Sequence, residues 1–229
     1  MKMKKMKMIK RITIIFILIS AAVTASGQEK DLGLWFELNT SHKIVKKLDA
    51  IVNCEMRTFN NSSQVHQVFI EGGLEYKVTK LLSVAGSYRL TSRREDDNNF
   101  YWRHKIFADL KLKFPVNDFN ISARLRFQRT TKTYIEDIED LDAAYLYRFR
   151  LKTDYDIPKI PVAPCIFFES FSPAFAGEGF RISKYRLSAG AEFHLTKKSD
   201  IQAGYIFQHD TDPKVKINNI ISLGYNVKF

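Results

Sequence analysis

Apolar and polar positions alternate with a period of two along nearly the whole chain. In the last stretch Ile221, Leu223, Tyr225, Val227 and Phe229 are apolar, and Ser222, Gly224, Asn226 and Lys228 between them are polar or Gly. This is the period of a β-strand whose two faces meet unlike surroundings. Segments of the same kind run over residues 32–42, 48–59, 67–78, 82–93, 102–114, 119–129, 145–156, 162–171, 184–195, 201–208 and 219–229, and no helix of consequence interrupts them. The apolar faces include Leu34/Phe36/Leu38, Val68/Ile70/Leu74, Ile106/Leu110/Leu112, Phe119/Ile121/Leu125/Phe127 and Tyr145/Tyr147/Phe149. The opposite faces carry Glu37, Glu55, Arg57, Glu71, Glu75, Arg89, Arg103, Lys105, Asp109, Arg124, Arg126, Arg148, Arg150, Lys152, Glu169, Arg186 and Glu192.

The pattern predicts an all-β chain closed into an antiparallel transmembrane barrel of 10–12 strands, charges inside and apolar side chains toward lipid. A strand of ten to twelve residues rises about 33–40 Å, and at a tilt of about 40° it covers roughly 25–30 Å, the height of an outer-membrane apolar band. Strands in water-soluble domains are usually about half that long. Aromatic residues near segment ends (Phe36, Phe59, Tyr76, Phe114, Phe119, Tyr155, Phe193) suit an interfacial girdle. The competing reading is a soluble periplasmic ligand-binding barrel with the apolar face inward, since the period alone does not distinguish inside from outside.

The two ends of the sequence weigh toward the membrane. Lys2, Lys4, Lys5, Lys7, Lys10 and Arg11 precede an apolar run over residues 12–23 and small residues as far as Gly27, the layout of a secretory signal peptide. That run is too short for a spanning helix, which needs about 20 apolar residues. Cleavage after Ala25 or Gly27 fits, so residues 1–27 are read as the leader and 28–229 as the barrel. The closing octet also resembles the C-terminal signal read by the outer-membrane barrel-assembly machinery, with its positions on Ser222, Gly224, Val227 and Phe229.

The formal charge of +11 includes six basic residues of the leader, so the mature chain carries 30 basic against 25 acidic residues, a net of +5. That is too mild to argue for a nucleic-acid partner. Expected partners are outer-membrane lipid, lipopolysaccharide and the assembly machinery. Cys54 and Cys165 fall on opposite faces, so no disulfide is expected.

If Phe229 ends on the periplasmic side, links 43–47, 79–81, 115–118, 157–161 and 196–200 are inner turns holding Pro115, Pro158 and Pro161. Links 60–66, 94–101, 130–144, 172–183 and 209–218 then face outward. Single-chain bacterial barrels close with an even strand number. Eleven segments therefore predict either ten strands, with 32–42 partial or interior, or twelve, with a short strand near residues 28–31.

Over its mature length the chain resembles an uncharacterised outer-membrane barrel family, domain of unknown function 2490. The resemblance rests on Trp35, Glu55-x-Arg57, Leu74-x-Tyr76, Gly86-Ser87-Tyr88-Arg89, Arg124-x-Arg126-x-Gln128, Arg148-x-Arg150, Pro164 leading to Glu169, and Arg186, in order and at hairpin spacing. It implies a fold and an outer-membrane location but no activity.

The lumen-lining candidates are Glu55, Arg57, Glu71, Arg89, Arg124, Arg126, Arg148, Arg150, Glu169, Arg186 and Glu192. Arg124/Arg126 and Arg148/Arg150 lie on adjacent strands and either form an anion-attracting ring or pair across the lumen with Glu55, Glu71, Glu75, Glu169 and Glu192. A barrel of about 8 strands is filled by its side chains and one of about 16–18 leaves a channel, so a narrow, largely occupied lumen is expected. The alternative of an outer-membrane lipid-acting enzyme needs a nucleophile with a histidine in reach. His42, His66, His104, His194 and His209 are scattered and Gly-x-Ser-x-Gly is absent, so no catalytic residue and no cofactor is assigned. Acidic clusters at Glu95/Asp96/Asp97, Glu136/Asp137/Glu139/Asp140/Asp142 and Asp210/Asp212 lack EF-hand spacing, and no metal site is assigned.

Overall fold

A computed structural model describes residues 30–134, 143–175, 180–211 and 215–229. The expected leader and cleavage site, the acidic run between Glu136 and Asp142, and Asp212 lie outside these residues. The strands are β1 (Lys30–Val45), β2 (Leu48–Phe59), β3 (Gln64–Lys77), β4 (Leu82–Arg94), β5 (Phe100–Val116), β6 (Phe119–Lys132), β7 (Ala144–Tyr155), β8 (Val162–Pro173), β9 (Lys184–His194), β10 (Ser199–Asp210) and β11 (Lys216–Lys228). Each pairs with its predecessor in an antiparallel meander, and β11 meets β1 to close the barrel.

The wall has eleven strands among the described residues, within the expected 10–12 but matching neither of the even counts. The segment over residues 32–42 is part of a 16-residue wall strand that takes up Lys30 and Asp31, so it is not a partial or interior piece. Because successive pairs are all antiparallel, an odd count leaves β1 and β11 running the same way. The contacts keep one parallel register: Gly33 lies beside Ile220 and Glu37 beside Gly224, Asn39 bonds Asn226, and the Phe229 amide donates to the Ser41 carbonyl at 2.8 Å.

The barrel is inside-out relative to a soluble one. Leu38, Ile70, Leu74, Ile106, Leu125, Phe149, Ile166, Leu187 and Leu223 all stand outward with more than two-fifths of their surface free. Glu71, Asp109, Arg126, Arg148, Glu169 and Arg186 are buried. A water-soluble barrel would leave those apolar side chains in water and its charges without it, so the inward-apolar alternative is overturned. Of the aromatic residues near segment ends, Phe36, Tyr76, Phe114, Phe119 and Phe193 stand outward and exposed. Phe59 instead turns inward, where it stacks edge-on against His66 and lines the lumen.

Links at one end are 46–47, 78–81, 117–118, 156–161 and 195–198, and those at the other are 60–63, 95–99, 133–143, 174–183 and 211–215. The first set is the shorter, as the sequence implied. Pro158 and Pro161 lie in a link, but Pro115 belongs to β5, opposite Asn120, with the two-residue turn Asn117-Asp118 beyond it. Asn117 there has φ 54°, a left-handed conformation that asparagine tolerates well. At Gly190 a Cβ would lie 2.5 Å from the Ala203 carbonyl oxygen, so only glycine lets β9 and β10 approach at that level.

Candidate functional site: the charged lumen

The register across β6 to β9 assembles the centre of the lumen. Arg124 stands directly opposite Arg150, and Arg126 opposite Arg148, arrangements that repel unless an anion intervenes. Glu169, opposite Arg150 on one side and Arg186 on the other, is that anion. It accepts from Arg124 at 2.8 Å, Arg148 at 3.0 Å and Arg150 at 3.0 Å, and lies 3.5 Å from Arg186. Glu169 is fully shielded from solvent. A lone carboxylate in such a place would be costly, but four guanidinium groups compensate it through charge-assisted bonds.

A second unit lies across β3 to β6. Asp109 takes Arg126 through two parallel bonds of 2.6 and 2.7 Å, the fork geometry that arginine makes with a carboxylate. Glu71 accepts from Arg89 at 2.7 Å and from Ser87 at 3.0 Å, and lies 3.6 Å from Arg126. Glu55 pairs with its strand neighbour Arg57. Nearer the short-link end, Glu192 pairs with Lys152, and Glu75 with Lys111. All eleven candidate lumen residues therefore engage in ion pairs, but not as a uniform exchange across the lumen. Arg124, Arg148, Arg150 and Arg186 share Glu169, whereas Arg126 goes to Asp109.

Aromatic rings are the part of the lumen that the sequence reading missed. The Arg57 guanidinium carbon lies 3.7 Å from the Trp35 ring centre, Arg89 3.6 Å from Phe69, and Arg126 4.2 Å from Phe107. Arg148 lies 4.5 Å from Phe171 and Arg150 4.7 Å from Phe167. A dehydrated guanidinium over an aromatic face gains about 2 kcal/mol or more. The signal that would have found four of these five rings is a spacing: an aromatic residue stands two before an inward acid in Trp35-x-Glu37, Phe69-x-Glu71, Phe107-x-Asp109 and Phe167-x-Glu169.

Around and above these pairs lies a cavity of about 810 Å³. Its lining reaches from Asp31, Lys132, Lys184 and Lys216 at the long-link end to Asn39, Asn53 and Lys152 deeper down. Fourteen arginines and lysines line it against five aspartates and glutamates.

The remaining candidates are also placed. Ser222 and Gly224 face the cavity, Val227 lies opposite Ser199, and Phe229 ends the seam against Ser41. Cys165 is buried and Cys54 half-exposed on the outer face, both as free thiols. Of the acidic clusters, Glu95 is bound by Arg103 and Asp210 by Lys184. Asp97 accepts from the Tyr101 hydroxyl at 2.6 Å, which holds its carboxyl below the ordinary aspartate range. Among the described residues no group of histidines, cysteines and carboxylates is placed to hold a metal ion.

A family model described as "Protein of unknown function (DUF2490)" matches residues 32–219. No curated protein sequence matches the chain. Among solved structures, a NanC porin aligns at 14% identity and a TM-score of 0.50, covering 77% of this chain and 86% of its own. LpxR from Salmonella typhimurium aligns at 7% identity and a TM-score of 0.47 over 79% and 83% of the two chains. A bacterial polysaccharide outer membrane secretin aligns at 8% and 0.47 over 76% and 73%. At these identities the likeness to the porin concerns the fold alone.

Proposed function

Because the chain belongs to the DUF2490 family of proteins of unknown function, which brings a fold and no activity, we propose from its geometry that it is an outer-membrane barrel of structural or narrow-pore type. Its lumen is braced by arginine–carboxylate pairs and biased toward anions. The observation that carries this reading is the cavity lining, with fourteen basic side chains against five acidic ones. Adding the shielded Asp109 and Glu169 still leaves basic groups in twofold excess. A ring of one sign of charge in a narrow, poorly hydrated space raises the local concentration of the opposite ion and repels its own. The mid-level pairs also narrow the passage, which agrees with a barrel between the filled and the open sizes.

The test is planar-bilayer recording together with a phospholipid- and lipopolysaccharide-hydrolysis assay on the same refolded preparation. The expected result is small, discrete conductance steps or silence, with no hydrolysis. Large porin-like steps would contradict the braced lumen, and hydrolysis abolished by a single substitution would favour an enzyme.

A further inference from the structure

Lys105 lies deeper in the lumen than Arg93 and Lys216, the other lining cations that have no ion pair among the described residues. It projects inward from β5, opposite Arg89 of β4 and Thr130 of β6, and lines the cavity. Its neighbours Arg57, Arg89 and Arg103 each hold a carboxylate, namely Glu55, Glu71 and Glu95. Among the described residues Lys105 has no ion pair and no hydrogen bond. The charges acting on it most strongly are those of Arg89, Arg57, Arg103 and Arg93, all of its own sign. Two further donors nearby are also unused. Arg93 Nε and the hydroxyl of Thr91 are buried without a partner, and Thr91 is fully shielded from solvent.

Arg93 Nε and the Thr91 hydroxyl are shielded without a partner, whereas Lys105 is half-buried and lines the cavity, so an anion entering there meets a cation that no protein carboxylate holds. Like charges directly opposite across a strand pair are themselves destabilising. We propose that this outward half of the lumen is a binding site for a small oxyanion, a solute bearing a phosphate or carboxylate group, with Lys105 as its central ligand and Arg93 as a second donor. The inference rests on the lumen being reachable from the long-link end and deepens the anion bias already proposed by assigning it to one place. Oxyanions fit better than halide because planar and tetrahedral oxygens accept several N–H and O–H donors at once.

The experiment uses the folded full barrel in detergent, titrated with inorganic phosphate and, in a separate arm, with malonate, each against potassium chloride at matched ionic strength. Its readout is the melting temperature. The expected result is a saturable rise with phosphate or malonate beyond that with chloride, and the arm with the lower half-saturation identifies the headgroup. K105M should remove the saturable part and, by relieving repulsion, melt no lower than wild type in low salt. R93Q should weaken half-saturation roughly tenfold. K80M, in an inner link, should leave the response intact. A response no greater than with chloride, or a saturable response retained in K105M, overturns the proposal. Saturation in a barrel that shows no conductance supports the site while removing the pore. Anion-selective conductance without saturation leaves the pore and removes the site.

Discussion

Asn39 Nδ2 donates to Asn226 Oδ1 at 2.9 Å, and Asn226 Nδ2 passes the connection on to Asp200, so one polar chain crosses β1, β11 and β10. It sits at the parallel seam, the one junction in the wall with no hairpin to fix its register. Parallel ladders are slightly weaker per residue than antiparallel ones, and backbone groups facing lipid have no water to turn to. An inward amide pair that fits only one alignment therefore supplies register where the chain connection does not.

Removal of that pair should be felt modestly. N226A is expected to cost about 1 kcal/mol, the ordinary net value of a hydrogen bond. The alignment itself is testable with disulfides on a background lacking Cys54 and Cys165. N39C combined with N226C should cross-link on oxidation, because neighbouring strands lie about 5 Å apart, within disulfide reach. N39C with S222C should not. The reverse pattern on a non-reducing gel would disprove the parallel register.

Glu169 is the carboxylate on which the lumen brace depends, since Arg124, Arg148, Arg150 and Arg186 all converge on it. E169Q removes the charge and keeps the shape, leaving guanidinium groups facing one another uncompensated. It should destabilise the barrel by about 3–5 kcal/mol, the usual result of removing one member of a buried pair. R126A, which strands Asp109, should fall in the same range, whereas K77A, on a half-exposed pair with Asp49, should cost only about 0–1 kcal/mol. Melting temperatures of the three variants decide this, and equal values would mean that water already solvates the centre.

Phe229 contributes its amide to the seam through Ser41. Deleting it should impair folding into detergent or lipid much more than replacing the outward link 60–63 by Asn-Gly, because that link caps one hairpin while the seam closes the whole sheet. The fraction of heat-modifiable, faster-running protein on an unboiled gel measures both. Equal fractions would show that closure does not depend on the terminal residue.

Much of this fold was legible because a period of two assigns every side chain to one of two faces, and one face here is strongly charged. Leu34/Phe36/Leu38 and Arg124/Arg126 could be sorted without a structure. The seam could not, since an even strand count is the general habit of single-chain barrels and the departure lies in how β1 meets β11. Nor could the sharing of Glu169 among four arginines, which depends on the register of four strands and hence on the turns between them. Trp35, Phe69, Phe107, Phe167 and Phe171 were hidden for a different reason: a lumen face was expected to be polar, and aromatic rings there are sensible only once guanidinium groups cover them.

A lumen braced by ion pairs yet carrying an excess of positive charge sets the reversal potential of the refolded barrel across a potassium chloride gradient. That potential is expected to be displaced toward that of chloride, by an amount that shrinks in K105M and as ionic strength rises and screening sets in. A potential displaced toward that of potassium would contradict that excess of positive charge.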